Sequence, residues 1–226
     1  MNAIEQAHIS LMNIIGLDEK TYPGALFEAV RIIKAGGVIV FPTDTIYGIG
    51  GNALDLEVTK RIYNIKRCPS DKSMIVLVKD LAMARKYAYI DIGTEKILES
   101  LWPGPVSVVL QKKDSMPDIV SGGEGTIALR VPDSVFLSEL LKQVEVPIIA
   151  TSANVSGEPA EPLALDALCK SIEGSLDVPD VILDAGILPQ TGPSTLLDLT
   201  DRRHPVILRY GAFPKDELES ILGTNL

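Results

Sequence analysis

Residues 41–53, FPTDTIYGIGGNA, join a short apolar segment to an amphipathic one through a stretch rich in hydroxyls and glycines. The preceding VIVF (38–41) predicts a buried strand, and the residues from Asp55 onward predict a helix. A loop between them presents Thr43, Thr45 and backbone N–H groups near a helix start, and these groups suit an anionic ligand. An ordinary glycine-rich turn without a ligand would have the same composition.

The same stretch contains a pattern typical of dinucleotide-binding loops, Gly48-x-Gly50-x-x-Ala53. In that motif the first glycine lies at the turn directly after a strand, whereas Gly48 follows the predicted strand by seven residues. The positions about 20 residues further on, Lys66 to Ser70, are basic and polar and offer no carboxylate at a strand end. The pattern therefore gives poor support to a dinucleotide-dependent oxidoreductase.

Outward from this loop, apolar strands alternate with amphipathic helices. The first 35 residues are predicted to be helical, ending at Gly36-Gly37, and further helices are predicted at 55–65, 81–89, 94–101, 134–144, 163–173 and 214–222. Besides 38–41, strands are predicted at 74–78, 106–110, 126–131, 147–152, 180–184, 194–199 and 206–210. This alternation predicts an α/β or α+β domain with a sheet of roughly six or more strands.

Composition narrows the functional classes. The chain has 226 residues, enough for one large or two small domains, and no clear linker divides it. Its formal net charge of −9 argues against broad, nonspecific wrapping of nucleic acid but permits a small anionic ligand. A GxxxxGK[ST] phosphate loop is missing, so the sequence does not predict an ordinary ATPase.

The hydropathy of the chain, its first residues and its two cysteines together predict a cytoplasmic protein. No apolar run approaches the roughly 20 residues of a membrane-spanning helix, and the first residues lack the pattern of a secretory signal. Cys68 and Cys169 offer neither a disulfide framework nor zinc-site spacing. We expect a reducing compartment.

A basic turn, KRCPSDK (66–72), lies between a predicted helix and a buried strand. Lys66, Arg67 and Lys72 could bind a triphosphate through charge-assisted hydrogen bonds. The alternative is a solvated basic turn with no ligand.

A second polar segment, ATSANVSGEPA (150–160), follows another buried strand and supplies Ser152 and Asn154. Small polar side chains at strand ends often line ligand sites of open α/β sheets, although an ordinary turn has similar residues. Arg130 and Arg209 lie in or at the end of apolar strands, where a cation needs an anionic partner. That partner could be a ligand or one of the chain's own acidic side chains.

Seven segments in this order resemble the YrdC-like threonylcarbamoyl-AMP synthases, over about Ala25 to Phe213. They are PTDTIYGIG (42–50), the Lys-rich turn before MIVLV, WPGPVSVVL (102–110), TIALRVP (126–132), TSANVSG (151–157), GPSTLLDLT (192–200) and ILRYGAF (207–213). The resemblance implies a twisted mixed sheet flanked by helices around a large concave cavity. It further implies a catalytic domain at 25–213, with an N-terminal extension at 1–24 and a C-terminal helix at 214–226, as in the short, single-domain form.

The resemblance also implies a reaction. Members of that family combine L-threonine, bicarbonate and ATP, with magnesium, into threonylcarbamoyl-AMP and pyrophosphate. A separate transferase then modifies an adenosine of tRNA, and the chain's negative charge gives no reason to expect direct tRNA binding. The sequence suggests no dedicated proton-transfer residue and no protein side chain as a metal ligand.

The resemblance also implies which residues bind threonine, which bind ATP and which one shapes the pocket. For threonine they are Thr45, Arg130 and Ser194, with Arg130 holding the carboxylate. For ATP they are Lys66, Lys72, Thr126, Ser152, Asn154 and Arg209. Tyr47 would shape the pocket.

The basic turn departs from the family pattern, which has Lys-x-Arg before proline. Here the residues are Lys66-Arg67-Cys68-Pro69, so cysteine stands at the arginine position. A thiol cannot replace the charge and the fork of donors of a guanidinium. We hypothesise that Arg67 binds ATP in its place. Greater reliance on Lys72 or weaker ATP binding are the alternatives.

The sequence leaves two rival functions open. One is a protein of the same fold that binds a nucleotide or RNA without making the adenylate, and Cys68 motivates it. The other is a carbamoyl-transfer module like those of hydrogenase maturation proteins, which normally carry zinc-finger cysteines that this chain lacks.

Overall fold

The computed structural model describes residues 13–153, 177–189 and 192–223, and within them eleven strands form two mixed sheets. The five-stranded sheet has the order β1-β9-β2-β3-β8 and the six-stranded sheet the order β11-β10-β5-β6-β4-β7. The strands are β1 (Ile14–Gly16), β2 (Ile39–Phe41), β3 (Gly48–Gly50), β4 (Ile75–Leu77), β5 (Val106–Gln111), β6 (Thr126–Arg130), β7 (Ile148–Ile149), β8 (Thr151–Ser152), β9 (Val181–Asp184), β10 (Thr195–Asp198) and β11 (Val206–Arg209).

Helices flank both sheets: α1 (Tyr22–Lys34), α2 (Leu56–Lys66), α3 (Leu81–Tyr87), α4 (Ile92–Leu101), α5 (Val135–Val144) and α6 (Lys215–Leu222). Four of them begin at a residue whose side chain accepts a hydrogen bond from a backbone N–H of the first turn, namely Asp55, Asp80, Asp91 and Ser134. Such caps satisfy donors that a helix start leaves unpaired. The sequence thus sets the helix starts locally.

Two hydrophobic clusters hold the layers together. The smaller one joins the apolar faces of α1 and α5 to β2 and β9, with Tyr22 edge-on to Phe136 at 6.1 Å between ring centroids. The larger one packs α2, α3 and α4 against the central strands of the six-stranded sheet. Burial of these aliphatic faces is the main favourable term in the stability of the layers.

The segment 147–153 passes from one sheet to the other. Its first part, β7, pairs with β4 of the six-stranded sheet, and its second part, β8, pairs with β3 of the five-stranded sheet. Along the crossing, the Ile149 N–H donates to the Gly51 carbonyl at 2.9 Å and the Ala153 N–H donates to the Tyr47 carbonyl at 2.9 Å. The two sheets are therefore joined backbone to backbone.

Gly50 makes this close approach possible. A Cβ atom at that position would lie 1.5 Å from the carbonyl oxygen of Ile149. Only a residue without a side chain fits there without moving the backbone of the crossing segment.

The α/β fold class is confirmed, and three details of the predicted elements are corrected. The strands divide between two sheets, because 147–152 forms two short strands that belong to different sheets. Residues 48–50 were predicted to be loop but form β3, since their backbone groups pair with those of β2. Ile14–Gly16 was predicted to be helical but pairs with β9, and α1 starts only at Tyr22, where Pro23 suits the first helical turn.

The remaining predicted helices and strands agree with the structure to within two residues at each end. The helix predicted at 163–173 lies outside the described residues. Within the described part of the chain, no helix has the length and apolar character needed to cross a membrane.

We predict that Gly50→Ala lowers the free energy of unfolding by about 3 kcal/mol or more, because the added methyl must displace the backbone of the crossing segment. Urea denaturation followed by circular dichroism measures this change. Gly24→Ala is the matched control, since a Cβ at Gly24 in α1 meets no atom within 4 Å. That control should leave stability unchanged or raise it by up to about 1 kcal/mol. Equal stability of the two variants would contradict the role given to Gly50.

Candidate functional site

A cavity of about 570 Å³ lies beside the crossing segment. Its wall includes nine of the eleven side chains predicted for the site: Thr45, Tyr47, Lys66, Lys72, Thr126, Arg130, Ser152, Ser194 and Arg209. Arg67 is exposed and does not contribute to the wall, and Asn154 lies outside the described residues. The sequence thus predicted nine residues that come from segments far apart in the chain and share one cavity.

One face of the six-stranded sheet contributes much of the wall. Along β6, Thr126, Ala128 and Arg130 point to the same side because side chains alternate in a strand. Ile75 of β4 lies opposite Ala128, and Leu77 of β4 lies opposite Arg130. The wall is therefore apolar in its middle and polar at the two ends of the strand.

Arg130 lies at one of these ends and is 4% exposed. Its Nε donates to the Gly104 carbonyl at 2.9 Å and its Nη1 donates to Thr45 Oγ1 at 3.1 Å. Its Nη2 lies 2.6 Å from Asp44 Oδ2. Burial lowers the pKa of Arg130, the nearby Asp44 carboxylate opposes that shift, and an arginine stays protonated in proteins regardless.

The loop between β2 and β3 is arranged around the hydroxyl of Thr43. Thr43 Oγ1 accepts the backbone N–H groups of Thr45 at 3.0 Å and Ile46 at 3.2 Å, and it donates to the Ile46 carbonyl at 2.7 Å. This network fixes a tight turn. It also sets Thr45 beside Arg130, where both side chains line the cavity.

Ser194 lies near the same end of the cavity and is held by two neighbours. Its Oγ is 2.8 Å from Ser107 Oγ, and its carbonyl accepts from Arg209 Nη2 at 2.9 Å and from Arg209 Nε at 3.2 Å. Ser107 is fully buried in β5. Arg209 and Ser194, predicted from separate motifs, are therefore in direct contact.

Lys66 and Lys72 lie at the other end with Thr126 and Ser152. The Lys66 side chain is buried, and its Nζ donates to the Ser152 carbonyl. Burial lowers the pKa of Lys66 to about 8, with Lys72 acting in the same direction and Cys68 opposing the shift. Lys72 is exposed at the edge of the cavity. This end presents cations and hydroxyls.

Tyr47 connects the cavity wall to the loop after β9. Its hydroxyl donates to the Gly186 carbonyl at 2.8 Å and accepts the Ala185 N–H at 2.8 Å. Burial raises the pKa of Tyr47 to about 12. The side chain therefore stays neutral at physiological pH, as a structural hydrogen-bonding group should.

Several contributors were not predicted. Ser107, Gly104 and Asp44 each contact a predicted site residue, and the first two lie in a largely apolar motif where the sequence gives no sign of a polar contact. Asp44 could have been found from its place inside the hydroxyl-rich loop, next to Thr45. The contacts of Ser107 and Gly104 depend on how distant segments pack together, which local sequence does not specify.

The dinucleotide pattern is explained by the fold. Gly48 and Gly50 belong to a strand that pairs antiparallel with β2. A dinucleotide fingerprint instead needs glycines in the turn between a parallel strand and a helix. The geometry contradicts the dinucleotide interpretation.

Comparison with known proteins identifies a family that includes most of this chain. A family model described as "Telomere recombination", which groups Sua5, YciO and YrdC, matches residues 31–211. The chain belongs to the Sua5/YciO/YrdC family. The predicted resemblance to YrdC-like proteins is therefore confirmed.

Relatives in this family cover most of the chain. The threonylcarbamoyl-AMP synthase of Pyrococcus abyssi is 34% identical over 93% of this chain and 61% of its own length. A putative threonylcarbamoyl-AMP synthase of Methanocaldococcus jannaschii is 33% identical over 92% of this chain and 96% of its own length. The chain thus spans about three fifths of the first relative and nearly all of the second.

A solved member of the family has the same fold. The crystal structure of P. abyssi Sua5 complexed with L-threonine matches with a TM-score of 0.86 at 33% identity, over 94% of this chain and 61% of that one. The two-sheet architecture described above is thus that of the Sua5/YciO/YrdC family.

We predict that the wild-type protein gains stability relative to Lys66→Met as the pH rises from 8 to 10.5. In the folded protein the pKa of Lys66 is about 8, against an ordinary value of 10.5. Between these values the unfolded chain binds more protons than the folded one, so stability increases with pH. Lys66→Met lacks this proton, and titrating groups that do not interact with Lys66 cancel in the difference between the two proteins. Urea denaturation of both proteins between pH 6 and pH 10.5 gives the difference in their free energies of unfolding. A difference that does not change with pH would contradict the lowered pKa of Lys66.

Proposed function

We propose that this chain synthesises threonylcarbamoyl-AMP and pyrophosphate from L-threonine, bicarbonate and ATP, as a step in threonylcarbamoyladenosine modification of tRNA. One observation carries the proposal: a single cavity has a buried arginine with hydroxyls at one end and two lysines with hydroxyls at the other. Such a cavity suits a carboxylate and a polyphosphate bound at the same time. The names of the relatives and the threonine bound to P. abyssi Sua5 support it.

Each end of the cavity has a proposed ligand. Arg130, with Thr45 and Ser194 beside it, would hold the threonine carboxylate. The groups proposed for the nucleotide and its phosphates are Lys66, Lys72, Thr126, Ser152, Asn154 and Arg209, and Tyr47 would keep the wall in place. Arg209 contacts Ser194 directly, so it would lie where the two substrates meet.

The chemistry needs two bonds to form. The threonine nitrogen attacks the carbon of bicarbonate, water is lost and a carbamate results. A carbamate oxygen then attacks the α-phosphorus of ATP, the bond to the β-phosphate oxygen breaks, and pyrophosphate leaves. Both reactants of the second step are anions, so bringing them together requires neutralisation and alignment.

The cavity residues can supply both requirements. Fixed guanidinium and ammonium groups offset the charge of the carboxylate and the phosphates, while the hydroxyls orient them. ATP would enter as its magnesium complex, and the metal would supply further neutralisation of the phosphate charge. We assign no side chain as general acid or base.

The later steps of the pathway are also proposals. Threonylcarbamoyl-AMP would pass to a separate transferase that acts on tRNA, and the net charge of −9 gives no support for direct binding of tRNA by this chain. The cytoplasmic location and the domain bounds at residues 25 and 213 stay predictions.

We expect pyrophosphate release that requires ATP, L-threonine and bicarbonate together, because the carbamate is the nucleophile that displaces pyrophosphate. A coupled pyrophosphate assay with each substrate omitted in turn measures this dependence. D-threonine serves as a control for recognition of the carboxylate and amine geometry. ATP binding without pyrophosphate release would contradict the proposal and favour a nucleotide-binding relative that lacks adenylate synthesis.

We expect Lys72→Ala to weaken ATP binding roughly tenfold and Arg67→Ala to weaken it less, since Lys72 lines the cavity and Arg67 is exposed outside its wall. Each variant removes one cation from the same basic turn, so the two are matched for net charge. Isothermal titration with an ATP analogue that is not hydrolysed gives both affinities. A larger loss for Arg67→Ala would show instead that Arg67 replaces the missing family arginine.

A further inference from the structure

Asp44 is an acidic side chain directly behind Arg130, and the proposed reaction gives it no role. Its side chain is 14% exposed, that of Arg130 is 5% exposed, and Asp44 Oδ2 lies 2.6 Å from Arg130 Nη2. Arg130 lines the cavity, whereas Asp44 does not. Asp44 therefore acts on a ligand only through Arg130.

Arg130 has two orienting contacts besides Asp44. Two well-formed hydrogen bonds already fix the guanidinium, one from Nε to the Gly104 carbonyl and one from Nη1 to Thr45 Oγ1. The contact between Nη2 and Asp44 Oδ2 is short but not aligned as a hydrogen bond, and Asp44 Oδ1 has no hydrogen-bond partner among the described residues. Asp44 thus acts on Arg130 through its charge more than through hydrogen bonding.

A buried cation without a compensating anion attracts any small anion that can reach it. The other charged groups that act on Arg130 are Arg209, which has the same sign, and Asp133, which is exposed. Solvent screens an exposed carboxylate strongly, so Asp133 compensates little. Asp44, with a side chain only 14% exposed, is the less screened anion and the one that balances Arg130.

We propose that Asp44 is a resident counter-ion that makes the Arg130 end of the cavity selective against simple anions. With Asp44 in place, a carboxylate gains little from charge alone and binds only when the rest of the ligand contributes contacts. Chloride, acetate and other small anions lack those contacts and are rejected. The proposal rests on the proposed function only in naming the selected carboxylate as that of L-threonine.

Asp44→Asn tests this role because the amide has nearly the same shape and can still accept the hydrogen bond that the Asp133 N–H donates to Oδ2 at 3.3 Å. We expect acetate or chloride at millimolar concentration to raise the melting temperature of Asp44→Asn and to leave that of the wild type unchanged. We also expect Asp44→Asn to bind L-threonine about tenfold more tightly, and acetate to compete with that binding. Differential scanning fluorimetry and isothermal titration measure these effects.

Three variants identify the source of the response. Asp44→Glu restores the charge and should restore insensitivity to anions. Asp133→Asn removes an equivalent but exposed charge and should behave as the wild type. Adding Arg130→Gln to Asp44→Asn should abolish the anion response, because the cation that binds the anion is then missing.

Weaker threonine binding by Asp44→Asn, or an anion response equal to that of the wild type, would overturn the proposal and leave Asp44 as an orienting group. If Asp44→Asn does not fold, Asp44→Ser provides the same neutral change with a smaller side chain, and the same anion titration decides. The anion titrations use no substrate. They therefore test the counter-ion even if the pyrophosphate assay disproves the synthase function.

Discussion

The close contact between Gly50 and the carbonyl of Ile149 is the constraint on which the rest of the molecule depends. At this point two sheets approach so closely that a single methyl group would collide with the backbone. Residues on either side of the contact line the cavity, including Tyr47 and Gly48 on one segment and Ala150 to Ser152 on the other. The cavity is thus a consequence of how one chain segment leaves one sheet and enters the other.

The same crossing organises the charges of the site. The chain carries a net charge of −9, yet the described residues of the cavity wall include four cations and no carboxylate. Three of these cations contact backbone carbonyls: Lys66 that of Ser152, Arg130 that of Gly104 and Arg209 that of Ser194. Carbonyl dipoles hold cations in a low-dielectric wall without neutralising them, which keeps their charge available to an anionic ligand. Asp44 beside Arg130 is the exception, and it lies behind the wall.

Local sequence predicted what depends on local physics. The helices follow from apolar periodicity and capping residues, and the polar clusters at strand ends identified nine residues that share one cavity. It did not predict β3, because Gly48–Gly50 has no side-chain pattern of a strand and forms one only by pairing with β2. The division of 147–152 between two sheets was missed for a related reason. Strand partners are distant in sequence, and the pairing of Ser107 with Ser194 or of Asp44 with Arg130 appears only once those partners meet.

The basic turn shows why adjacency in sequence is a poor guide to shared function. Helix α2 ends at Lys66, and Arg67 adopts a left-handed backbone conformation with φ of 49° that ends the helix. Such a reversal sends consecutive side chains in different directions. Lys66 is buried in the cavity wall, Arg67 is exposed, and Cys68 packs against the larger hydrophobic cluster. A cysteine at the family's arginine position is therefore accommodated as a half-buried apolar side chain, and the second lysine that lines this end of the cavity is Lys72, four residues after Cys68.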